Sequence, residues 1–307
     1  MNKCQKTLVQ VSLVLMCLLI LPGVLAAQEY SSRGADSCLG CHKSSKWSVM
    51  AIFNSKHGSR TDPDAPFSNL QCESCHGPSE AHQKAKDRAA VKATITFGKN
   101  DQASVSEQNE ACISCHQDHT AMGWFGSRHE SVDVGCVSCH SVHNERDPVF
   151  DPLKQQEICF TCHQPVRSDT YKSYGHPLRF GKMACSDCHN VHDGNNDFLL
   201  TADNVNDTCY TCHAEKRGPY LWEHAPVTES CSLCHQPHGS NHPALLTKRP
   251  PLLCQQCHSA ADHPGDPYTS EDIGQSPQNR FMLARGCMNC HSQVHGSNHP
   301  SGSSQLR

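Results

Sequence analysis

The sequence predicts a mostly irregular chain with short α-helices, almost no β structure and an extended series of repeats. Twenty of the 22 cysteines lie in one repeated motif, while apolar residues make up only 36% of the 307 residues and aromatic residues only 6%. Both fractions are low for a globular chain of this length. Such a chain can bury only a small core of its own, so another component has to supply buried volume.

The repeated motif is Cys-x-x-Cys-His, which occurs ten times and is numbered 1 to 10 here in chain order. This spacing predicts covalent attachment of haem c, in which both thiols add to the vinyl groups of one haem and the histidine supplies an axial nitrogen. Zinc ribbons and disulfide frameworks also use paired cysteines, but neither needs a histidine directly after the second thiol. We therefore predict a multihaem cytochrome c with ten covalently bound haem c groups, attached through Cys38, Cys41, Cys72, Cys75, Cys112, Cys115, Cys136, Cys139, Cys159, Cys162, Cys185, Cys188, Cys209, Cys212, Cys231, Cys234, Cys254, Cys257, Cys287 and Cys290, with the motif histidines His42, His76, His116, His140, His163, His189, His213, His235, His258 and His291 as axial ligands.

The remaining histidines match the demand for a second axial ligand. The chain has 23 histidines, so 13 remain outside the motifs, and ten irons with histidine on both faces need ten of them. Histidine on both faces closes the iron to substrates and favours electron transfer over catalysis. The predicted second ligands are His57, His82, His129, His143, His176, His192, His224, His238, His263 and His295.

A two-motif repeat selects these histidines. The first cysteines of motifs 4, 6 and 8 are spaced by 49 and 46 residues, and each of these motifs is followed by a second histidine three residues after its own. Between them lie motifs followed at a longer distance by a single histidine. His119, His242 and His299 are left over. His242 and His299 each end a duplicated string, His-Gly-Ser-Asn-His, and we select the first histidine of each string. The sequence order leaves open which haem each second histidine serves.

The chain start predicts a signal peptide. Lys3 and Lys6 precede an almost continuous apolar run, and small residues at 24–26 predict cleavage after Ala26. The mature chain, 27–307, is expected to form either one elongated domain or two pentahaem halves, about 27–170 and 171–307. It has no further apolar run near the roughly 20 residues that a membrane helix needs. Residues 79–93, rich in alanine, lysine and glutamate, are the best helix candidate.

The charge excludes a nucleic-acid partner. Removing Lys3 and Lys6 leaves 24 basic residues (26 − 2) against 30 acidic ones, a formal net charge of −6. No basic stretch indicates nucleic-acid binding. The haem propionates would make the holoprotein more acidic still.

Several strings besides the motifs carry a resemblance to a known family. They are Cys-Glu-Ser-Cys-His-Gly-Pro from position 72, Asp-Thr-Cys-Tyr-Thr-Cys-His-Ala-Glu-Lys-Arg-Gly-Pro from 207, Trp-Glu-His-Ala-Pro-Val from 222, and the segment 287–302. With them, the whole mature chain resembles the decahaem cytochromes of the MtrA/DmsE type. The resemblance implies a periplasmic protein inserted into an outer-membrane β-barrel porin. It also implies two kinds of partner, an outer-surface multihaem cytochrome or reductase and periplasmic or inner-membrane donor cytochromes.

These observations predict an electron carrier and not an enzyme. The leading hypothesis is a decahaem wire that passes electrons across the outer membrane, to or from metal oxides, a dimethyl sulfoxide reductase or external iron. The alternatives are a soluble periplasmic electron shuttle or store, and a multihaem reductase. A reductase would need an iron with an open face or an unusual ligand, and the supply of histidine argues against this. The direction of electron flow stays open.

Overall fold

The computed structural model describes residues 29–44, 49–98, 102–117, 123–192, 196, 198–258, 287–300 and 302–305. The predicted signal peptide, His119 and His263 lie outside this range. The described residues form eight short α-helices: α1 Ala35–His42, α2 Glu73–His76, α3 Glu80–Lys84, α4 Val105–Ile113, α5 Pro152–Phe160, α6 Gln164–Thr170, α7 Val205–Tyr210 and α8 Ala225–Glu229. Between them lie 3₁₀ turns at Val49–Asn54, Lys56–Gly58, Pro66–Ser68, Glu130–Val132, Cys136–Ser138, Pro148–Phe150, Pro177–Phe180, Cys185–Asp187, Ala214–Lys216, Cys231–Leu233, Pro243–Leu245, Cys254–Gln256, Cys287–Asn289 and Gly302–Ser304.

Helices α4, α5 and α7 begin at side-chain caps and deliver a motif at their carboxyl end. In α4, Ser104 and Glu107 form a reciprocal capping box, in which the Ser104 N–H donates to the Glu107 carboxylate at 2.7 Å. Asp151 and Asn204 accept backbone N–H groups at the start of α5 and α7. Caps satisfy donors that the first helical turn leaves free. The caps therefore explain why short helices form where they do.

Every motif forms one tight turn that brings its reactive groups together. In motifs 2 to 10 the backbone N–H of the histidine donates to the carbonyl of the first cysteine at 2.8–3.0 Å. Motif 1 lies wholly within α1. Motifs 2, 3, 5 and 7 begin in or next to α-helices, and motifs 4, 6, 8, 9 and 10 begin in 3₁₀ turns. A turn of this kind places two thiols and an imidazole on one side of the backbone, as attachment to a single haem requires.

Consecutive motifs are packed as five two-motif units. The first cysteines of motifs 1 and 2 lie close enough for their thiols to shift each other's pKa, and the first cysteines of motifs 3 and 4, 5 and 6, 7 and 8, and 9 and 10 are neighbours in the same way. The units are linked through their second cysteines. Burial and, after it, the nearby thiol of Cys115 in motif 3 raise the pKa of Cys75 in motif 2, and second cysteines lie next to a cysteine of the following motif in the same way from motif 4 to 5, 6 to 7 and 8 to 9. The ten motifs therefore follow one another in space in chain order.

β structure in the described residues is limited to isolated bridges. All four are antiparallel, and two of them join distant segments, Tyr174 to Ser240 and Trp222 to Ser297. Each pair exchanges two backbone hydrogen bonds of 2.8–2.9 Å. Ser240 and Ser297 occupy the same place in the duplicated His-Gly-Ser-Asn-His string. This string is therefore a clamp that joins segments about 60–80 residues apart in the chain.

A glycine is required in the first clamp by close backbone approach. Gly239 has φ +141°, and a Cβ atom there would lie 2.0 Å from the carbonyl oxygen of Asp169. Residues with a Cβ disfavour this φ, and a Cβ cannot lie so close to a carbonyl oxygen. The clamp therefore depends on glycine at its second position.

The polypeptide itself buries a small core, as the composition predicts. The buried apolar side chains among the described residues are Ala35, Ala65, Phe67, Ala103, Trp124, Phe160, Ala184 and Leu199. In contrast, Phe125, Phe180 and Phe198 expose 60–71% of their surface on the polypeptide. Phenylalanine is normally among the more buried residues. The predicted fold class, short helices in a mostly irregular chain, is confirmed.

The predicted helix over residues 79–93 is wrong in its extent. Only Glu80–Lys84 is helical, and Ala85 is extended. The chain turns back after it because the imidazole of His82 donates from Nδ1 to the carbonyl of Val91 at 2.6 Å. An orienting contact on a histidine thus overrides helix propensity in a segment with little packing of its own. No helix in the described ranges is long and apolar enough to cross a bilayer.

Replacing Gly239 with alanine tests the clamp. We expect Gly239→Ala to lower the free energy of unfolding by about 1–3 kcal/mol, because the new Cβ strains a left-hand φ and pushes Asp169 away. The matched control is Gly40→Ala in α1, where a Cβ would meet nothing within 4 Å. Thermal unfolding of both holoproteins checks this. Equal melting temperatures for the two variants would contradict the role assigned to the clamp.

Candidate metal centres

The structure brings the predicted histidines together in opposed pairs. Each pair joins one motif histidine to one predicted second histidine, with ring centroids 5.9–6.5 Å apart. The pairs, in motif order, are His42–His82, His76–His143, His116–His57, His140–His192, His163–His129, His189–His238, His213–His176, His235–His295 and His258–His224. His291 of motif 10 is described, whereas its remaining candidate partner, His263, lies outside the described residues.

The spacing of these pairs fits a metal ion between two imidazoles. A histidine nitrogen binds a metal at about 2.0–2.1 Å, so two nitrogens on opposite sides lie about 4 Å apart. Each ring centroid lies roughly one ring radius further out, which gives a centroid separation of about 6 Å. The two thiols of each motif lie within one backbone turn of that motif's own imidazole. The arrangement therefore fits one haem iron in each pair, closed on both faces.

The pairs cross between units. The second histidine that follows an odd-numbered motif lies opposite the odd-numbered motif of the next unit, as His176, after motif 5, lies opposite His213 of motif 7. The one that follows an even-numbered motif lies opposite the even-numbered motif of the preceding unit, as His192, after motif 6, lies opposite His140 of motif 4. The first unit also closes on itself, because His82, after motif 2, lies opposite motif 1. Neighbouring units are therefore interlocked.

Hydrogen bonds on the far nitrogen orient many of these imidazoles. Nδ1 of His76 lies 2.9 Å from the carbonyl oxygen of Ile95. Backbone carbonyls occupy the same position, at 2.6–2.9 Å, beside His82, His176, His189, His224, His235 and His291. A carbonyl can only accept, so Nδ1 carries the proton and the lone pair on Nε2 is left for a metal.

Burial favours the neutral form of five paired imidazoles. Loss of solvent around the ring is the largest cause that lowers the pKa of His57, His76, His143, His238 and His295. Neighbouring imidazoles in the pairs lower the pKa further, for example His116 beside His57. Only a neutral imidazole can donate its lone pair to a metal. The environment therefore prepares these side chains as ligands.

Polar and aromatic groups around the pairs also suit haem. The indole of Trp124 lies 6.1 Å from the ring of His192, and its buried Nε1 has no partner among the described residues. Buried donors normally find an acceptor, and a haem propionate is one. The exposed rings of Phe180 and Phe198 offer apolar surface against which the face of a porphyrin can pack. No disulfide uses any of the twenty motif cysteines, all of which are described.

The duplicated string separates its two histidines. His238 and His295, the first of each string, lie opposite motif histidines. The second ones, His242 and His299, lie in the clamp, where their backbone N–H groups donate to the hydroxyls of Ser240 and Ser297. Nδ1 of His242 is buried with no hydrogen-bond partner in the described part of the chain. The geometry therefore favours the first histidine of each string as the ligand.

Attachment motifs in a continuous line, nine of which face a second imidazole among the described residues, define a multihaem c-type cytochrome. Comparison with known proteins agrees. Residues 176–218 and 224–263 match the family described as doubled CXXCH motif, residues 72–154 match the cytochrome c-type protein NrfB-like family, and residues 25–77 match the cytochrome c554 and c-prime family. The chain is 49% identical to the multiheme cytochrome MtrA of Shewanella baltica over 90% of its own length and 82% of that protein. It belongs to the MtrA family of multihaem cytochromes.

Partial similarity extends to a second group. The chain is 32% identical to the cytochrome c-type protein NrfB of Escherichia coli over 45% of its own length and 70% of that protein. It is 31% identical to NrfB of Haemophilus influenzae over 41% of its own length and 63% of that protein. The predictions of covalently bound haem c and of an electron-transfer protein, an electron carrier and not an enzyme, are thereby confirmed.

Sequence reasoning missed one residue. Asp147 places Oδ2 2.7 Å from Nδ1 of His140, the axial candidate of motif 4. Its only signal in the sequence is an acidic residue seven positions after a motif histidine, which alone indicates nothing. The pairing across units was also beyond the sequence, because it depends on how successive turns pack.

Removal of His238 tests the choice within the string. We expect His238→Ala to convert one haem from low spin to high spin, because the iron held by His189 loses its opposite ligand, whereas His242→Ala should leave all haems low spin. Electron paramagnetic resonance of the ferric proteins measures the change. The double variant H238A/H242A prevents His242 from taking over. A high-spin signal in His242→Ala alone would reverse the assignment.

Proposed function

We propose that the protein is a decahaem electron conduit across the outer membrane. Its ten motifs hold ten haem c groups, and each iron is bound by its motif histidine and by the opposed histidine named above, with His263 serving motif 10. Haem c, when bound, supplies an iron that takes up and releases one electron at a time. The observation that carries the proposal is the continuous, chain-ordered line of motifs with imidazoles on both faces.

The residues of the chain have three tasks in this function. The cysteine pairs hold each haem covalently, so a small core does not have to retain it. The opposed imidazoles leave no coordination position for a substrate, which favours electron transfer over catalysis at the metal. The exchange of histidines between units keeps neighbouring sites at a fixed relation, so electrons can pass along the line. The pairing of His140 with His192 across the boundary at about residue 170 supports one elongated domain over the two halves considered from the sequence.

The family and the thickness of a bilayer support the proposed location. The resemblance to MtrA/DmsE-type cytochromes supports a periplasmic protein inserted into an outer-membrane β-barrel porin. A bilayer with its headgroups spans about 40–45 Å, more than one haem can bridge and within reach of an array. A barrel lumen is polar and can hold a protein plug. The partners would be donor cytochromes on the periplasmic or inner-membrane side and a multihaem cytochrome or reductase on the outer surface.

Co-purification and reconstitution test the conduit. We expect solubilised outer membranes to yield the cytochrome together with a β-barrel. Liposomes that carry this complex and enclose a reduced viologen dye should lose the dye's colour when ferric oxide is added outside. The electron path across the lipid requires both components.

The controls are liposomes with the cytochrome alone or the barrel alone, which should keep their colour. Recovery of the cytochrome only as a free soluble protein, with no dye oxidation in any preparation, would refute the conduit and favour a periplasmic shuttle. A high-spin ferric haem in the wild-type protein would favour a reductase instead.

A further inference from the structure

The orienting partner of the motif histidine differs at motif 4. In the even-numbered motifs 2, 6, 8 and 10, Nδ1 faces a backbone carbonyl, contributed by Ile95, Phe198, Ala244 and Ser304. In motifs 6 and 8 the carbonyl lies nine residues after the histidine. In motif 4, the carboxylate of Asp147 takes this place, with Oδ2 2.7 Å from Nδ1 of His140. One site among five equivalent ones thus has a charged acceptor.

The position of Asp147 is built by the local backbone. Its second oxygen, Oδ1, accepts the N–H groups of Ser141 at 3.2 Å and Val149 at 3.3 Å. The side chain is only 16% exposed, and Pro148 directly after it begins a 3₁₀ turn. These contacts hold both carboxylate oxygens, so the bond to His140 is a constant feature of the site.

A carboxylate acts on an axial imidazole more strongly than a carbonyl does. Hydrogen bonds to charged acceptors are shorter and about twice as strong as neutral ones. A carboxylate on Nδ1 also raises the basicity of the metal-binding nitrogen. A more basic ligand and a nearby negative charge both stabilise ferric iron, with its higher charge, over ferrous iron. The potential of the iron is lowered as a result.

We propose that Asp147 is a tuning residue that lowers the reduction potential of the motif 4 haem below those of its repeat equivalents at motifs 6 and 8. This inference rests on the ligand pair His140–His192 of the proposed function. The step concerned is the gain of one electron by ferric iron to give ferrous iron, with the proton kept on Nδ1 of His140. The carboxylate also interacts electrostatically with His57, opposite motif 3, so the neighbouring site feels the same charge more weakly.

The consequence is an uneven profile inside the line. Motif 4 has three motifs before it and six after it. An electron passing in either direction meets a site of low potential there. Asp147 therefore sets the height of one internal step without touching either end of the array.

Asp147→Asn in the full holoprotein tests this assignment, because asparagine keeps the shape and one of the two acceptor oxygens but removes the charge. We expect the potential of one haem to rise, while the other haems stay unchanged or, at motif 3, rise slightly. A change on the order of tenfold in the preference for ferric iron corresponds to about 59 mV for one electron. Redox titration by visible spectroscopy, with electron paramagnetic resonance of each poised sample, measures the shift.

The matched control is Asp151→Asn, which removes the same charge four residues away and keeps a good helix cap at the start of α5. It should leave all potentials unchanged. Titration curves of Asp147→Asn that overlay the wild type, or an equal shift in Asp151→Asn, would overturn the tuning role. A new high-spin haem in Asp147→Asn would overturn it as well, by assigning Asp147 to the retention of His140. All of these results are independent of the barrel, so they leave the conduit proposal to its own test.

Discussion

The opposition of two imidazoles across about 6 Å is the interaction on which the rest of the molecule depends. It fits an iron closed on both faces, and it is made between segments that are distant in the chain. The polypeptide offers few apolar contacts to hold those segments, since the described core consists of small side chains and a few aromatic rings. Helices, clamps and turns are short because they have one task, the placement of histidine and cysteine side chains.

Interlocking follows from this constraint. His176 leaves its own unit to face His213, and its Nδ1 contacts the carbonyl of Pro237 in yet another segment. His224 lies 48 residues after His176, at the equivalent position of the next repeat. It faces His258, and its Nδ1 contacts the carbonyl of Val294. Units of about 50 residues are too small to bury a core alone. In the proposed function, metal centres shared between units stabilise the array in the way that stacked apolar faces stabilise other repeat proteins.

Local features of this molecule were predictable from the sequence, and relations between segments were not. The motif spacing predicts the attachment cysteines and axial histidines, because covalent haem attachment of this kind needs five consecutive residues. The repeat singles out His238 over His242 because it aligns His238 with His143 and His192. The sequence does not predict which motif histidine each second histidine faces, since this depends on the packing of successive turns. The helix expected over residues 79–93 failed because propensity carries little weight beside a constrained imidazole at His82.

The exchange of histidines also limits how such a chain can change in length. Each interior unit gives one imidazole forward and one backward, and it takes one from each neighbour in return. A complete two-motif unit inserted in the interior leaves every site supplied. A single inserted motif would break the alternation and leave an iron with one face open. Interior units of this design are therefore expected to be gained and lost in steps of two haems.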